Sequence, residues 1–190
     1  MEFIQQFDDS ILYYIYENWH NAFTDGLFIT VSRIADCGLI WFVLAGIMLL
    51  KKDWRSTGIV MLFALGVGAL VGSVILKNII CRERPFNVDE TLQLISVMPG
   101  GRYSFPSGHS NAAGACSTVI FLRNRRFGAA AVIYAVMVAF SRVFLVVHYP
   151  TDVICGLLLG AVCAIIMWKV MYKFTENTLE KIYLKRSRKA

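Results

Sequence analysis

Lys77 with Arg84 and Pro85 forms one polar cluster in this sequence, Pro106, Ser107, Gly108 and His109 form a second, and Ser141, Arg142, His148 and Asp152 form a third. Between them they hold three cations, two histidines, a carboxylate and serine hydroxyls. Such a set can neutralise a phosphate group, attack it with an imidazole and protonate the oxygen that leaves. Each residue also has an ordinary explanation. Lys77 and Arg142 can snorkel from helix ends, and Ser107 can cap a helix. His109 and His148 can be interfacial histidines, Asp152 can sit near the positive end of a helix dipole, and Arg84–Pro85 can be a plain turn. Their joint occurrence in an oily chain points to function, because ionisable groups in or beside membrane spans are costly.

The elements that must position these residues are apolar. Of 190 residues, 57% are hydrophobic and 17% charged, a balance that fits an integral membrane protein rather than a soluble globule. Leu39–Leu50 continues an apolar stretch from about Phe23, Thr57–Leu76 and Val153–Trp168 carry no charge, and Gly128–Val147 is broken only by Ser141–Arg142. Gly108–Leu122 is shorter and needs buried neighbours to cross. About 20 apolar residues span a bilayer as a helix, and lipid demands that every backbone group be paired within the helix. The expectation is an all-α, polytopic membrane helical bundle of five to six transmembrane helices with an N-terminal amphipathic interfacial helix. That first helix occupies residues 1–20, where Phe3, Ile4, Phe7, Ile11, Tyr14 and Ile15 recur at helical spacing. Residues 23–34 are either a short buried helix leading into the first span or a separate crossing; parity favours five crossings.

Charge sets the orientation. Three basic residues fall at Lys51, Lys52 and Arg55, three at Arg123, Arg125 and Arg126, and seven from Lys169 to Lys189. These segments share one side if the chain crosses at each apolar run, and the positive-inside rule makes that side cytoplasmic. The net charge of +6 is therefore a topology signal, and nucleic acid is not an expected partner. Residues 1–190 read as one membrane domain, with the chemical clusters in 77–152 and a basic cytoplasmic tail in 175–190. The acidic N-terminus lacks the basic region of a cleavable signal peptide. The five cysteines show no metal-like spacing and read as small apolar filler. Nothing in the chain speaks to oligomeric state.

With that topology the second span runs outward and carries Lys77 near its outer end. Pro85 disfavours helix at Arg84, so the helix ends just before it. A polar loop returns to Ser107–Gly108–His109 at the start of the third span. The fourth span carries Arg142 outward, and His148 and Asp152 lie where the fifth begins. All three clusters thus reach one depth at the outer end of the bundle.

The pattern Lys77-x6-Arg84-Pro85, Pro106-Ser107-Gly108-His109 and Ser141-Arg142-x5-His148-x3-Asp152 resembles the three-part signature of the type 2 phosphatidic acid phosphatase superfamily, at every signature position and in order. That superfamily also includes the vanadium haloperoxidases and membrane glucose-6-phosphatases. The resemblance implies a phosphohydrolase that uses no metal or other cofactor and has a histidine nucleophile. His148 attacks phosphorus, and Asp152 fixes its tautomer. His109 serves as general acid and then as base. Lys77, Arg84 and Arg142 bind the phosphoryl oxygens with Ser107 and the Gly108 amide, which sit at a helix N-terminus. Compact bacterial members of the family act on lipid phosphates: undecaprenyl pyrophosphate, phosphatidylglycerol phosphate, phosphatidic acid or diacylglycerol pyrophosphate. An outward-facing site best fits the first. A haloperoxidase, a sugar phosphatase and a non-enzymatic lipid transporter or anion-binding membrane protein are the competing readings. The pairing of His148 with Asp152 and the presence of His109 argue against the last.

Overall fold

A computed structural model describes residues 2–95 and 101–187, with side chains through residue 181. The N-terminal helix α1 (Glu2–Asn18) leads to α2 (Ala22–Ile34), a 3-10 turn at Asp36–Gly38 and α3 (Leu39–Leu50). A second 3-10 turn opens α4 (Arg55–Ala69), which runs on through a π-helical stretch, Leu70–Leu76, into α5 (Lys77–Ile80). A one-turn helix α6 (Pro85–Val88) precedes the long loop. The last three helices are α7 (Gly108–Arg123), α8 (Arg125–Phe144) and α9 (Pro150–Ser187). Among the described residues there is no strand, only an isolated bridge from Glu83 to Tyr103.

Local chemistry sets the boundaries. Asn21 accepts the N–H groups of Phe23 and Thr24, and Thr24 Oγ1 accepts the Asn21 N–H, a reciprocal cap that starts α2. Asn124 accepts the N–H groups of Arg126 and Phe127 and so turns the chain from α7 into α8 within one residue. Pro85 and Pro150 begin helices, where a missing N–H costs nothing. Arg84 before Pro85 is extended, as expected, and Cys81 is left-handed at φ 50°, so the helix carrying Lys77 stops four residues short of Pro85.

α7 is the axis of the bundle, packed against α9, α8 and α4. The close approach depends on glycine. A Cβ at Gly160 would lie 2.1 Å from the Asn111 carbonyl oxygen, and one at Gly114 would lie 2.3 Å from the Leu157 carbonyl oxygen. On the α4 side Asn111 donates through Nδ2 to the Gly68 carbonyl at 2.6 Å. Small residues allow membrane helices to meet backbone to backbone in this way. The central core holds Trp41, Met61, Val60, Val119 and Val138, while Leu50, Phe63, Ile133, Leu158 and Val170 point outward. That apolar exterior is the surface a bilayer solvates.

Among the described residues, three helices are long and apolar enough to cross a membrane: Lys52–Ile80, Arg125–Phe144 and Pro150–Lys181. The pair Ala22–Ile34 and Asp36–Leu50, bent by 40°, adds a fourth if taken as one broken span. The remaining span expected from the sequence, α7, is shorter than these. α7 has 16 residues, about 24 Å of helix, and carries buried Ser110, Asn111 and Ser117; it is sheathed by its neighbours rather than by lipid. The break before α3 is backbone-driven, with Cys37 and Gly38 both at positive φ (53° and 69°).

α1 forms where the pattern placed a helix, but its buried face is Asp8, Leu12 and Ile15, with Phe3, Ile4, Phe7 and Tyr14 exposed. Large apolar side chains are thus left on the outer side of α1, while its docked face buries a carboxylate. Of the basic tail expected at 175–190, Arg188 and Lys189 lie outside the described residues, and Lys185 and Arg186 are described only as helix.

Candidate active site

The third cluster is built at the joint between α8 and α9. The Arg142 carbonyl accepts the N–H groups of both Val147 and His148, each at 3.2 Å. Val146 adopts φ 61° to make the bend, a conformation rare for a β-branched residue. This curl sets His148 inward, 2% exposed. Its Nε2 stands 3.5 Å from Arg84 Nη1. Its Nδ1 stands 3.6 Å from Asp152 Oδ2 one turn into α9, beyond hydrogen-bond length. Asp152 is itself fully buried and firmly held: Oδ2 accepts the Tyr149 N–H at 2.9 Å, and Oδ1 accepts Arg82 Nη1 at 2.8 Å.

The cations approach from three elements. Arg84, 2% exposed, donates through Nη1 to the Val147 carbonyl at 2.9 Å and through Nε to the Gly101 carbonyl at 3.1 Å. Arg142 near the end of α8 is buried, donates through Nη1 to Ser32 Oγ on α2, and keeps an Nε without a partner. Lys77, half-buried, is the first residue after the π-helical stretch, which turns the side chains that follow it away from an α-helical register. It lies within electrostatic range of Arg84, Arg142 and Asp152.

The second cluster starts α7. Ser107 is fully buried and caps the helix, its Oγ accepting the Ser110 N–H at 3.4 Å and the Ser110 hydroxyl at 3.0 Å. Its own N–H donates to the Asp152 carbonyl at 3.1 Å, which ties α7 to α9. Gly108 faces Ser73 on the π-helical stretch: a Cβ there would lie 3.5 Å from Ser73 Oγ. His109 is partly open and meets Asp36 through Nε2 at 2.8 Å. Arg142 and Lys77 lie within its electrostatic range.

All eight residues singled out from the sequence (Lys77, Arg84, Ser107, Gly108, His109, Arg142, His148 and Asp152) thus gather at one end of the bundle. His148, Asp152, Arg84 and Arg142 form a buried floor, and Lys77, Gly108 and His109 line its more open side. Burial pushes the His148 imidazole down to about 3, and Arg142 and Arg84 push the same way against the pull of Asp152. Burial also lowers Arg84, with Asp152 opposing. Burial acts against the charge of Arg82 as well, but Asp152 and Asp8 together outweigh it and hold that guanidinium above its ordinary value. The result is a neutral buried imidazole facing an excess of positive charge, an arrangement suited to an incoming polyanion. Among the described residues no three His, Cys, Asp or Glu side chains are grouped to hold a metal ion.

Among the further side chains that meet this set, Arg82 bonds Asp152, Ser32 bonds Arg142 and Asp36 bonds His109, while Asp8 joins through Arg82. Their signal in the sequence was faint. Asp8 falls on one helical stripe with Leu12 and Ile15, and Ser32 and Asp36 are one turn apart. Both features become telling only once the docked face of each helix is known.

The family profile described as the PAP2 superfamily matches residues 57–176. An undecaprenyl-diphosphatase from Sulfolobus acidocaldarius is 30% identical over 141 residues, 74% of this chain and 67% of that protein. The undecaprenyl-diphosphatase BcrC of Bacillus subtilis is 28% identical over 157 residues, 83% of this chain and 78% of that one. In fold, the chain is similar to the crystal structure of a transmembrane PAP2 type phosphatidylglycerolphosphate phosphatase from Bacillus subtilis, with a TM-score of 0.71 at 24% identity, covering 88% of this chain and 85% of that one.

Proposed function

Because this chain belongs to the PAP2 superfamily and is a multi-pass membrane phosphatase, we propose that it hydrolyses undecaprenyl pyrophosphate on the outer face of the membrane through a phosphohistidine. The observation that carries the mechanism is the setting of His148: buried and neutral, Nε2 toward Arg84 and Nδ1 toward Asp152. Nε2 attacks the terminal phosphorus, and a P–N bond forms as the bridging P–O bond breaks. His109 gives its proton to the leaving oxygen of the lipid monophosphate. Asp152 stabilises the positive charge that develops on the ring, and closing the 3.6 Å gap to a hydrogen bond accompanies that step. Lys77, Arg84, Arg142, Ser107 and the Gly108 N–H hold the phosphoryl oxygens. A water deprotonated by His109 then attacks phosphorus, the P–N bond breaks, and inorganic phosphate leaves.

The choice of a lipid substrate rests on a cavity of ≈ 390 Å³ that runs from Ser73, Gly108 and His109 down to Phe42, Leu62 and Leu65 between α3 and α4. It joins the phosphate end of the site to an apolar slot lined by these side chains. Undecaprenyl pyrophosphate is preferred because both relatives named above carry that activity in their names. The outward orientation rests on the basic segments at the opposite end. A phosphatidylglycerol phosphate substrate is the second reading, favoured by the fold likeness.

The test is phosphate release by the purified chain in detergent from a panel of lipid mono- and diphosphates, with His148→Ala as blank. The expected outcome is highest kcat/KM on the polyprenyl diphosphate, no turnover by His148→Ala, competition by vanadate and indifference to EDTA. Activity in His148→Ala would overturn the nucleophile, strong inhibition by EDTA the metal-free chemistry, and higher kcat/KM on phosphatidylglycerol phosphate the substrate.

A further inference from the structure

Arg82 stands two residues before Arg84, yet both terminal nitrogens of its guanidinium are engaged by other partners. Nη1 donates to Thr151 Oγ1 and Asp152 Oδ1, both at 2.8 Å, and Nη2 donates to Gln5 Oε1 and Asp8 Oδ2, both at 2.7 Å. The Tyr149 ring lies 3.9 Å beneath it. Asp8 is fully buried, and its carboxylate also accepts the Thr151 N–H at 2.8 Å and the Thr151 hydroxyl at 2.5 Å. One planar fork thus links α1 to the first turn of α9, across the carboxylate that faces the His148 ring.

This arrangement does two things for Asp152. With Oδ1 on Arg82 and Oδ2 on the Tyr149 N–H, its plane is fixed and one edge is left toward His148 Nδ1. It is also held back from Lys77 and Arg84, which lie within its electrostatic range. A loose carboxylate there would pair with those cations and compete with a phosphate for them. Buried ion pairs are weak contributors to stability, since desolvation offsets attraction, so docking α1 is a poor reason to bury two carboxylates around one guanidinium.

We propose that Arg82 and Asp8 are positioning residues for the reaction: Asp8 of the N-terminal helix orients Arg82, and Arg82 fixes Asp152 against His148 and away from the phosphate-binding cations. The proposal rests on the histidine-nucleophile reading above.

The experiment uses the full chain in detergent, reading kcat and KM for undecaprenyl pyrophosphate together with the melting temperature. Wild type and His148→Ala come first: an active His148→Ala overturns the nucleophile reading and this proposal with it, whereas a wild type silent on this lipid overturns only the choice of substrate, and the variants are then read on the lipid phosphate that the wild type does hydrolyse. Once those controls behave, the remaining variants test the clamp alone. Arg82→Gln is expected to lose about 100-fold in kcat, the scale of a 1 Å misplacement at a reacting group, with KM little changed. Arg82→Lys keeps the charge without the fork and falls between. Guanidinium at sub-denaturing concentration restores turnover to Arg82→Ala. Asp8→Asn loses less, and the double variant Asp8→Asn/Arg82→Gln loses no more than Arg82→Gln, because both act through one carboxylate. Unchanged kcat in Arg82→Gln with a lowered melting temperature overturns the proposal and leaves a structural staple. A loss confined to KM, losses that multiply in the double variant, or failure of guanidinium to rescue Arg82→Ala would also overturn it.

Discussion

His148 is the ionisable side chain on which burial weighs most heavily in consequence. Its ordinary value of 6.5 falls to about 3 in the folded chain, chiefly through desolvation, so the ring stays neutral, as the nucleophilic role proposed for it requires. The same shift links stability to pH. Below 6.5 the unfolded chain takes up a proton that the folded chain refuses, so the contribution is whole above 6.5 and is lost as pH falls toward 3. The melting temperature of the solubilised protein should therefore drop between about pH 7 and about pH 4.5, and drop less in His148→Asn; equal drops would show that His148 is not the group responsible. His148, Asp152 and the three cations were legible in the sequence because their types and spacing carry chemistry, whatever the packing. Asp8, Arg82, Ser32 and Asp36 were not legible as site neighbours. An aspartate in an acidic N-terminal stretch looks like a solvated residue until the rotation of its helix is known, and Arg82 looks like a spare cation beside Arg84.

At the scale of elements, the site depends on where α7 begins, and α7 is held by surfaces too close for side chains. Gly160→Ala would press a methyl group against the Asn111 carbonyl oxygen and the Ala115 nitrogen, 2.1 and 2.6 Å away. It is expected to cost about 1–3 kcal/mol and to lower turnover, because Ser107, Gly108 and His109 sit one to two turns from the clash. Gly46→Ala in α3 meets nothing within 4 Å and should be neutral or slightly stabilising, as alanine is the better helix former. Melting temperatures of the two variants check both, and a stable Gly160→Ala would show that α7 and α9 can separate without loss. Apolar runs made the helices legible, together with the stop before Arg84 and the cap at Ser107. They could not report how many cross. A 16-residue helix with a polar interior reads like a short span, and the bend at Cys37–Gly38 needs a backbone conformation that residue types barely announce.

Across the whole molecule, the two ends of the bundle differ in chemistry. At the end away from the site, Arg123 donates to the Asp53 carbonyl at 3.0 Å and lies over the Trp54 ring, which joins the turns that carry Lys51, Lys52, Arg55, Arg125 and Arg126. If that end is cytoplasmic, as positive charge favours, Cys81 at the site end is exposed to the outside. A variant keeping Cys81 alone should then react with a membrane-impermeant maleimide on intact cells. Labelling only after permeabilisation would invert the orientation. The curl at the end of α8 bears on what such a bundle can do. One residue, Arg142, supplies both a cation of the site and the carbonyl that holds the His148 backbone. Imidazole and counter-charge are therefore carried on one hydrogen-bonded turn, so that a shift of the end of α8 would carry both. On the proposed reading of a lipid substrate, the play needed to admit its tail falls to the other wall, where α3 and α4 frame the apolar slot. On that reading, substitutions at Phe42, Leu62 or Leu65 in the slot would change the preferred tail and leave the turn from Arg142 to His148 in place.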